Sequence, residues 1–290
     1  MVSDLRQRVI TALVLLSGLV TATSLLSPFL FALFMAAVVL VGGWEWAGFV
    51  QLDQRRSKLG FMLTLTAGVV GLFLMLGVTP DAQSVDGFRV AMLLWLGLLF
   101  WVLAFIMLWG YPASAHHWND KSKIALMGLC ALLPTWVGLV QLKYLQTEGF
   151  LVMGLVVMVA AVDIGAYFFG IALGHTKLAP KLSPNKSWEG VWGGLLTCFT
   201  LGVLLVWALD QFLIPLTRSQ QLTLLLLSLT VTFFGVTGDL VESMLKRNCH
   251  IKDSGSLLPG HGGLLDRVDG LMAVTPAFVL TLLLTLTDLE

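Results

Sequence analysis

Chemistry-bearing residues concentrate between Ser243 and Asp269, a stretch that reads SMLKRNCHIKDSGSLLPGHGGLLDRVD. Asp253, Asp266 and Asp269 lie within it, and Asp239 and Glu242 stand just before it. Lys246, Arg247, Lys252 and Arg267 are basic, and His261-Gly262-Gly263 reads as a flexible tripeptide. Carboxylates are hard oxygen donors that suit Mg²⁺, which takes one or two of them and completes its shell with water and substrate phosphate. Cations beside them suit phosphate oxygens. The combination points to phosphate chemistry.

A second stretch, GHTKLAPKLSPNKSWEG over 174–190, carries the same donors. Ser183-Pro184 favours a turn. Lys181, Lys186 and the hydroxyls of Ser183 and Ser187 suit phosphate, and Ser187 is a candidate N-cap for the apolar run beginning at Trp188-Glu189. A helix N-terminus there adds amide donors and a favourable dipole for an anion. The alternative is a basic loop with an ordinary cap. Walker A, GxGxxG, HExxH and GxSxG sequences are absent, so a nucleotide site must be of another kind.

The residues need elements to position them, and those elements are membrane spans. The chain is 57% hydrophobic and 12% charged with zero net charge, against about a quarter charged in soluble domains. Apolar runs recur along its length, which predicts an all-α, polytopic helical bundle. Zero net charge gives no electrostatic case for nucleic acid. Cys130, Cys198 and Cys249 lack the spacing of a disulfide framework or zinc site. About nine spans are expected, near 9–27, 28–49, 59–78, 90–110, 124–142, 149–173, 188–209, 221–241 and 268–287. The first two are parted only by Ser27-Pro28, and a kink there would remove a span. Fourteen Lys and Arg residues then fall on one side and only Arg89, Lys143 and Arg218 on the other. By the positive-inside rule the N-terminus and the loops 174–190 and 242–267 are cytoplasmic and the C-terminus periplasmic. One integral domain over 1–290 is expected, with N-terminal spans over 1–145 and a motif-bearing half over 146–290. Trp44, Trp46, Trp109, Trp118, Trp188 and Trp207 sit near span ends as interfacial anchors.

Acidic residues in spans each need an account. Glu45 is expected to snorkel or pair with a nearby Arg. Asp163 should face a polar cavity or a cation, and Gly165 and Gly170 beside it admit a neighbouring helix. Asp239, Glu242 or Ser243, and Lys246 share a helix face, and Asp266 and Asp269 are spaced i, i+3. Two span ends thus present carboxylates on one side. Ordinary ion pairs, Asp239 with Lys246 and Asp266 with Arg267, are the alternative use of the same residues.

The pattern Ser243-x-Leu245-Lys246-Arg247-(four residues)-Lys252-Asp253-x-Gly255-(two)-Leu258-Pro259-x-His261-Gly262-Gly263-(two)-Asp266-Arg267-x-Asp269 resembles the signature of phosphatidate cytidylyltransferases, the CDP-diacylglycerol synthases. Ser183–Gly190 resembles the family's second recurring element, and Asp163 with Ala166-Tyr167 and Gly170 a third. Asn185 departs from the Lys of many members, and His175-Thr176 from a more basic pair. The resemblance implies CTP + phosphatidate → CDP-diacylglycerol + diphosphate in a bacterial inner membrane, with the site on the cytoplasmic side. It implies Mg²⁺ held chiefly by Asp239 and Asp266, with Asp269 beside them and K⁺ as a candidate second ion. Lys246, Arg247, Lys252 and Arg267 become diphosphate contacts. Ser183, Lys186, Ser187, Glu189, Asp163, Ser243, His261, Gly262 and Gly263 become substrate contacts. The partners implied are CTP, phosphatidic acid and the bilayer; a homodimer fits the family, and no motif fixes it. An ion-coupled transporter using Asp163, Asp239 and Asp266 is the competing class. A CDP-alcohol phosphotransferase is disfavoured by the absence of its DG-x₂-AR run.

Overall fold

The computed structural model describes residues 2–52, 55–212 and 215–286. The chain forms helices α1 (Val2–Leu25), α2 (Pro28–Phe49), α3 (Arg55–Leu76), α4 (Gly87–Trp109), the short α5 (Ala115–Trp118), α6 (Lys121–Leu145) and α7 (Phe150–Leu173). A two-stranded ribbon, β1 (Lys177–Ala179) and β2 (Ser183–Ser187), precedes α8 (Trp188–Phe212), α9 (Arg218–Asn248) and α10 (Leu265–Leu286). Eight of these helices, α2–α4 and α6–α10, are long and apolar enough to cross a membrane. The protein is an all-α, multi-pass membrane bundle.

The break at Ser27-Pro28 is real. Ser27 caps α2, its Oγ accepting from the amide of Leu30 at 3.3 Å, and Pro28 takes the first helical position, where its missing N–H is not needed. The apolar part of α1 is shorter, Ile10–Leu25, yet α1 reaches between the two ends of the bundle. Thr11 Oγ1 donates to Pro259 O at 3.0 Å, and at the far end Lys143 Nζ donates to Thr23 O. The last span reaches Leu286; Thr287, included in its expected range, lies outside the described residues.

Both basic loops lie at the Pro259 end. Arg247 Nε donates to Leu182 O at 3.3 Å, joining one loop to the other. The Phe49 end of α2 joins them through Cys249 Sγ, 3.2 Å from Phe49 O. The 242–267 loop is shorter than hydropathy suggests, because α9 continues through Asn248 and α10 begins at Leu265. The helical ladder runs on past the apolar stretch where charged side chains find partners within the protein, as Glu242 and Lys246 do at 2.5 Å. In the other loop the turn expected at Ser183-Pro184 falls on 179–182, where Leu182 N donates to Ala179 O at 3.1 Å. Pro180 occupies the second turn position, which its fixed φ favours. Pro184 instead lies in β2, paired with β1 in antiparallel register, Lys177 opposite Ser187.

Helices α6 and α10 are the most enclosed spans, so the N-terminal half contributes to the core. Trp46 and Trp118 are buried, contrary to their expected anchoring role. Trp46 Nε1 donates to Ile124 O at 2.9 Å, and its indole fills the space over Gly128, locking α2 to α6. The other four tryptophans of that group are exposed. Helices α7 and α8 pack through small residues as expected: a Cβ on Gly165 would meet Thr197 Oγ1 at 2.4 Å, and one on Gly194 would meet Val162 O at 2.8 Å.

The contact that most directly shapes the polar end is Gly238 of α9 on α10. A Cβ there would lie 2.3 Å from Asp269 O and 2.9 Å from Asp269 C, whereas one on Gly235 would meet nothing closer than 3.8 Å. Gly238→Val is expected to cost about 3 kcal/mol by overpacking. Gly235→Ala is expected to be tolerated. Thermal unfolding of the two variants in detergent checks the contrast, with Gly238→Val melting well below the other.

Candidate active site

The far turns of α9 carry Asp239, Glu242 and Lys246, and the first turns of α10 carry Asp266 and Asp269. The close approach at Gly238 sets the Asp269 side chain beside that of Asp239. Neighbouring ionised carboxylates repel unless a proton or cation is shared between them. One cation is supplied by the neighbouring loop: Lys186 Nζ, from β2, pairs with Asp239 Oδ2. Asp163 of α7 and Arg267 of α10 lie within electrostatic range of this group. The Asp239 side chain is 36% exposed, Asp163 and Arg267 more so, and the site is therefore an open cleft bounded by α7, α9, α10 and β2.

Behind the cleft stands a second, enclosed set of charges. Lys246 Nζ lies 2.5 Å from Glu242 Oε2 and 2.7 Å from Asp266 Oδ1. Asp266 Oδ2 accepts from Ser254 N at 2.9 Å, Ser254 Oγ at 2.9 Å and Gly263 N at 2.8 Å. Four protein donors therefore fill Asp266, whereas Asp239 takes Lys186 and the neighbouring Asp269 accepts from Gly270 N at 2.8 Å. Glu242 Oε1 is buried without a hydrogen-bond partner among the described residues. Neither of the boundary ion pairs considered from sequence forms: Asp239 takes Lys186, and Lys246 takes Asp266 together with Glu242.

The segment 249–264 between α9 and α10 is a folded strap. Leu258 N donates to Gly262 O and His261 N to Leu258 O, both at 2.9 Å. Gly262 has φ +81°, and a Cβ on Gly263 would lie 2.1 Å from Ser254 Oγ and 2.6 Å from Glu45 Oε2. The tripeptide expected to be flexible is thus a tight turn. Left-handed backbone at one position and close packing at the next both favour glycine. Arg267 Nε and Nη2 donate to His261 O at 3.2 and 3.0 Å, tying the strap to α10.

A family model described as the cytidylyltransferase family matches residues 6–285. The chain belongs to that family. It is 41% identical over 274 residues to a phosphatidate cytidylyltransferase of Pseudomonas aeruginosa, covering 94% of this chain and 95% of that protein. A protein of the same name from Haemophilus influenzae is 37% identical over 287 residues, with 94% and 97% covered. Another, from Brucella melitensis, is 34% identical over 275 residues, with 93% and 90% covered.

Within this cytidylyltransferase-family chain the structure brings most of the sequence-predicted residues to one end of the bundle, in different capacities. Asp163, Lys186, Asp239, Arg267 and Asp269 line the cleft. Ser187 is buried and caps α8, its Oγ accepting from Gly190 N at 3.2 Å. Glu189 is half-buried and accepts from Thr176 N at 3.0 and 3.2 Å, closing the base of the ribbon. Arg247 bridges the two loops. Ser183 opens β2, Ser243 is half-buried on α9, and Lys252 is exposed on the strap. His261 is half-buried, with a buried Nδ1 lacking a partner among the described residues.

The residue that sequence reasoning undervalued is Glu45. It is only 7% exposed and pairs with no arginine among the described residues. Oε1 accepts from Leu264 N and Oε2 from Leu265 N, both at 2.9 Å, and Ser254 Oγ stands 3.2 Å from Oε2.

Proposed function

We propose that the protein is a phosphatidate cytidylyltransferase, converting CTP and phosphatidate to CDP-diacylglycerol and diphosphate. The cleft then faces the cytoplasm from a bacterial inner membrane. The observation that carries this reading is the meeting of Asp239 and Asp269, on two spans, with Lys186 from the adjoining loop. A phosphate-handling site there stands at the end of a membrane bundle, open to a soluble nucleotide and beside the bilayer.

An oxygen of the lipid phosphate attacks the α-phosphorus of CTP. A new P–O–P linkage forms, the Pα–O–Pβ bond breaks, and diphosphate leaves with the electron pair. Phosphatidate is already ionised at neutral pH, so no general base is needed, and the protein's work is positioning and charge neutralisation. Lys186, the nearest ammonium to the carboxylate pair, would hold triphosphate oxygens in the cleft. Arg267, at the cleft rim, and Lys252, on the exposed strap, are placed to receive the departing diphosphate. Lys246 is held by two carboxylates and steadies α9 against α10.

The carboxylate pair also fits a divalent cation. Asp239 and Asp269 offer neighbouring hard oxygens beside an ammonium that partly offsets their charge, and their repulsion falls when a cation joins them. Mg²⁺ held there would supply charge stabilisation for the transferring phosphoryl group. Asp266 would join it only by giving up protein donors, Lys246 first among them. K⁺, as a second ion, would find an acceptor in the unpartnered oxygen of Glu242.

Purified protein in mixed micelles is expected to release diphosphate from CTP only when phosphatidate is present, and to stop when the divalent metal is chelated. Diphosphate release independent of phosphatidate, or ion-coupled solute flux in proteoliposomes without nucleotide turnover, would overturn the reading. Turnover that survives chelation would overturn the metal assignment alone.

A further inference from the structure

A carboxylate of the N-terminal half sits at the centre of the strap that the reaction uses. Glu45, in the last turns of α2, is almost fully buried, and its two oxygens take the amides of Leu264 and Leu265 separately, at 2.9 Å each. These amides open α10, where N–H groups lack partners within the helix and the helix dipole favours a negative charge. Ser254 Oγ lies 3.2 Å from Glu45 Oε2 and 2.9 Å from Asp266 Oδ2, so one hydroxyl stands between the two carboxylates. The strap's sequence is shaped around this group. A Cβ on Gly255 would lie 2.6 Å from Glu45 Oε1, and one on Gly263 would lie 2.6 Å from Oε2. Glu45 is itself held from behind, because the adjacent Trp46 is locked to Ile124 and Gly128 of α6.

We infer that Glu45 is a positioning residue for the cytidylyl transfer. By receiving the first amides of α10 it fixes the rotation and height of that helix, and with them Asp266 and Asp269 relative to Asp239. The inference rests on the proposed reaction for its kinetic consequences and on the geometry alone for its structural ones. Glutamine at this position has one acceptor oxygen and presents an NH₂ to an N–H that needs an acceptor. Aspartate is one methylene too short to reach both amides. Either replacement frees the start of α10.

Displacements near 1 Å cost about 100-fold in rate when they misalign reacting groups. Glu45→Gln is therefore expected to lower kcat by about 30- to 100-fold while leaving KM for CTP and phosphatidate within about threefold. It is also expected to raise the Mg²⁺ concentration giving half-maximal rate and to speed hydrogen exchange at the amides of Leu264 and Leu265. Val39→Ala, which trims a buried side chain of α2 six positions before Glu45, serves as the comparison for general loosening of α2. It is expected to leave kcat, the Mg²⁺ dependence and those two amides close to wild type. A Glu45→Gln protein with wild-type kcat, or with changes matched by Val39→Ala, overturns the inference. If the wild-type protein shows no phosphatidate-dependent turnover, the proposed reaction fails instead. Faster exchange at Leu264 and Leu265 in Glu45→Gln then still supports the clamp, and unchanged exchange overturns it.

Discussion

Replacing Asp239 by asparagine is expected to lower CDP-diacylglycerol formation by about 1000-fold or more while the bundle stays folded. The substitution is nearly isosteric, so the packing of α9 on α10 at Gly238 is preserved. What it removes is one charge of the Asp239–Asp269 pair and the partner of Lys186. Preorganised charge aimed at a transferring phosphoryl group is worth about 3 to 4 kcal/mol per element in comparable sites, and here one residue serves both a metal and a lysine. Asp269→Asn keeps the Lys186 pair and is expected to fall less, by about 100-fold. Turnover of micellar phosphatidate, measured on variants with wild-type melting temperatures, checks the order. Wild-type rates in both would remove the carboxylate pair from the chemistry.

Lys246→Met is expected to be the most destabilising single change in the site. The Lys246 side chain is 15% exposed and is shared between Glu242, 4% exposed, and Asp266, 8% exposed. Removing the ammonium leaves two buried carboxylates facing each other, and breaking such a pair costs about 3–5 kcal/mol. Adding Glu242→Gln removes one of the stranded charges, so the double variant is expected to regain much of the lost melting temperature. Its activity is expected to stay low, because Asp266 still lacks its lysine and α10 its tie to α9. Recovery of rate in step with stability would show that Lys246 acts on folding alone.

The sequence carried the architecture of this site further than its detailed contacts. Ser27-Pro28 announced a helix break through capping chemistry, and the structure places one there. Sorting Lys and Arg by loop grouped 174–190 with 242–267, and the Arg247–Leu182 contact joins those loops at one end of the bundle. Local spacing also placed Glu242 and Lys246 on one helix face, where they pair in the structure, and offered Ser187 as the cap it proves to be. Long-range partners were beyond such reasoning. Whether Asp239 takes Lys246 or Lys186 depends on how a ribbon 53 residues upstream folds over α9, and spacing along one helix contains no term for it. The glycines of His261-Gly262-Gly263 looked like freedom because a flexible turn and a crowded one use the same residue. The crowding at Gly263 comes from Ser254 and from Glu45, the latter more than 200 residues away. One signal for Glu45 was present. Its helical neighbours Val41, Gly42, Gly48 and Phe49 include no cation, so its charge had to be met from outside its own helix. Trp46 and Trp118 were misplaced for a related reason: a tryptophan at a span end suits the interface equally well when it is buried against another span.

The most direct measurement follows the label from CTP carrying phosphorus-32 at either the α or the γ position, given to purified protein with micellar phosphatidate and Mg²⁺. Attack at the α-phosphorus puts α-label into a chloroform-extractable nucleotide lipid and γ-label into aqueous diphosphate, in equal amounts and only with phosphatidate present. Gamma-label in the lipid fraction, or no lipid-soluble label from either position, would contradict cytidylyl transfer at this site.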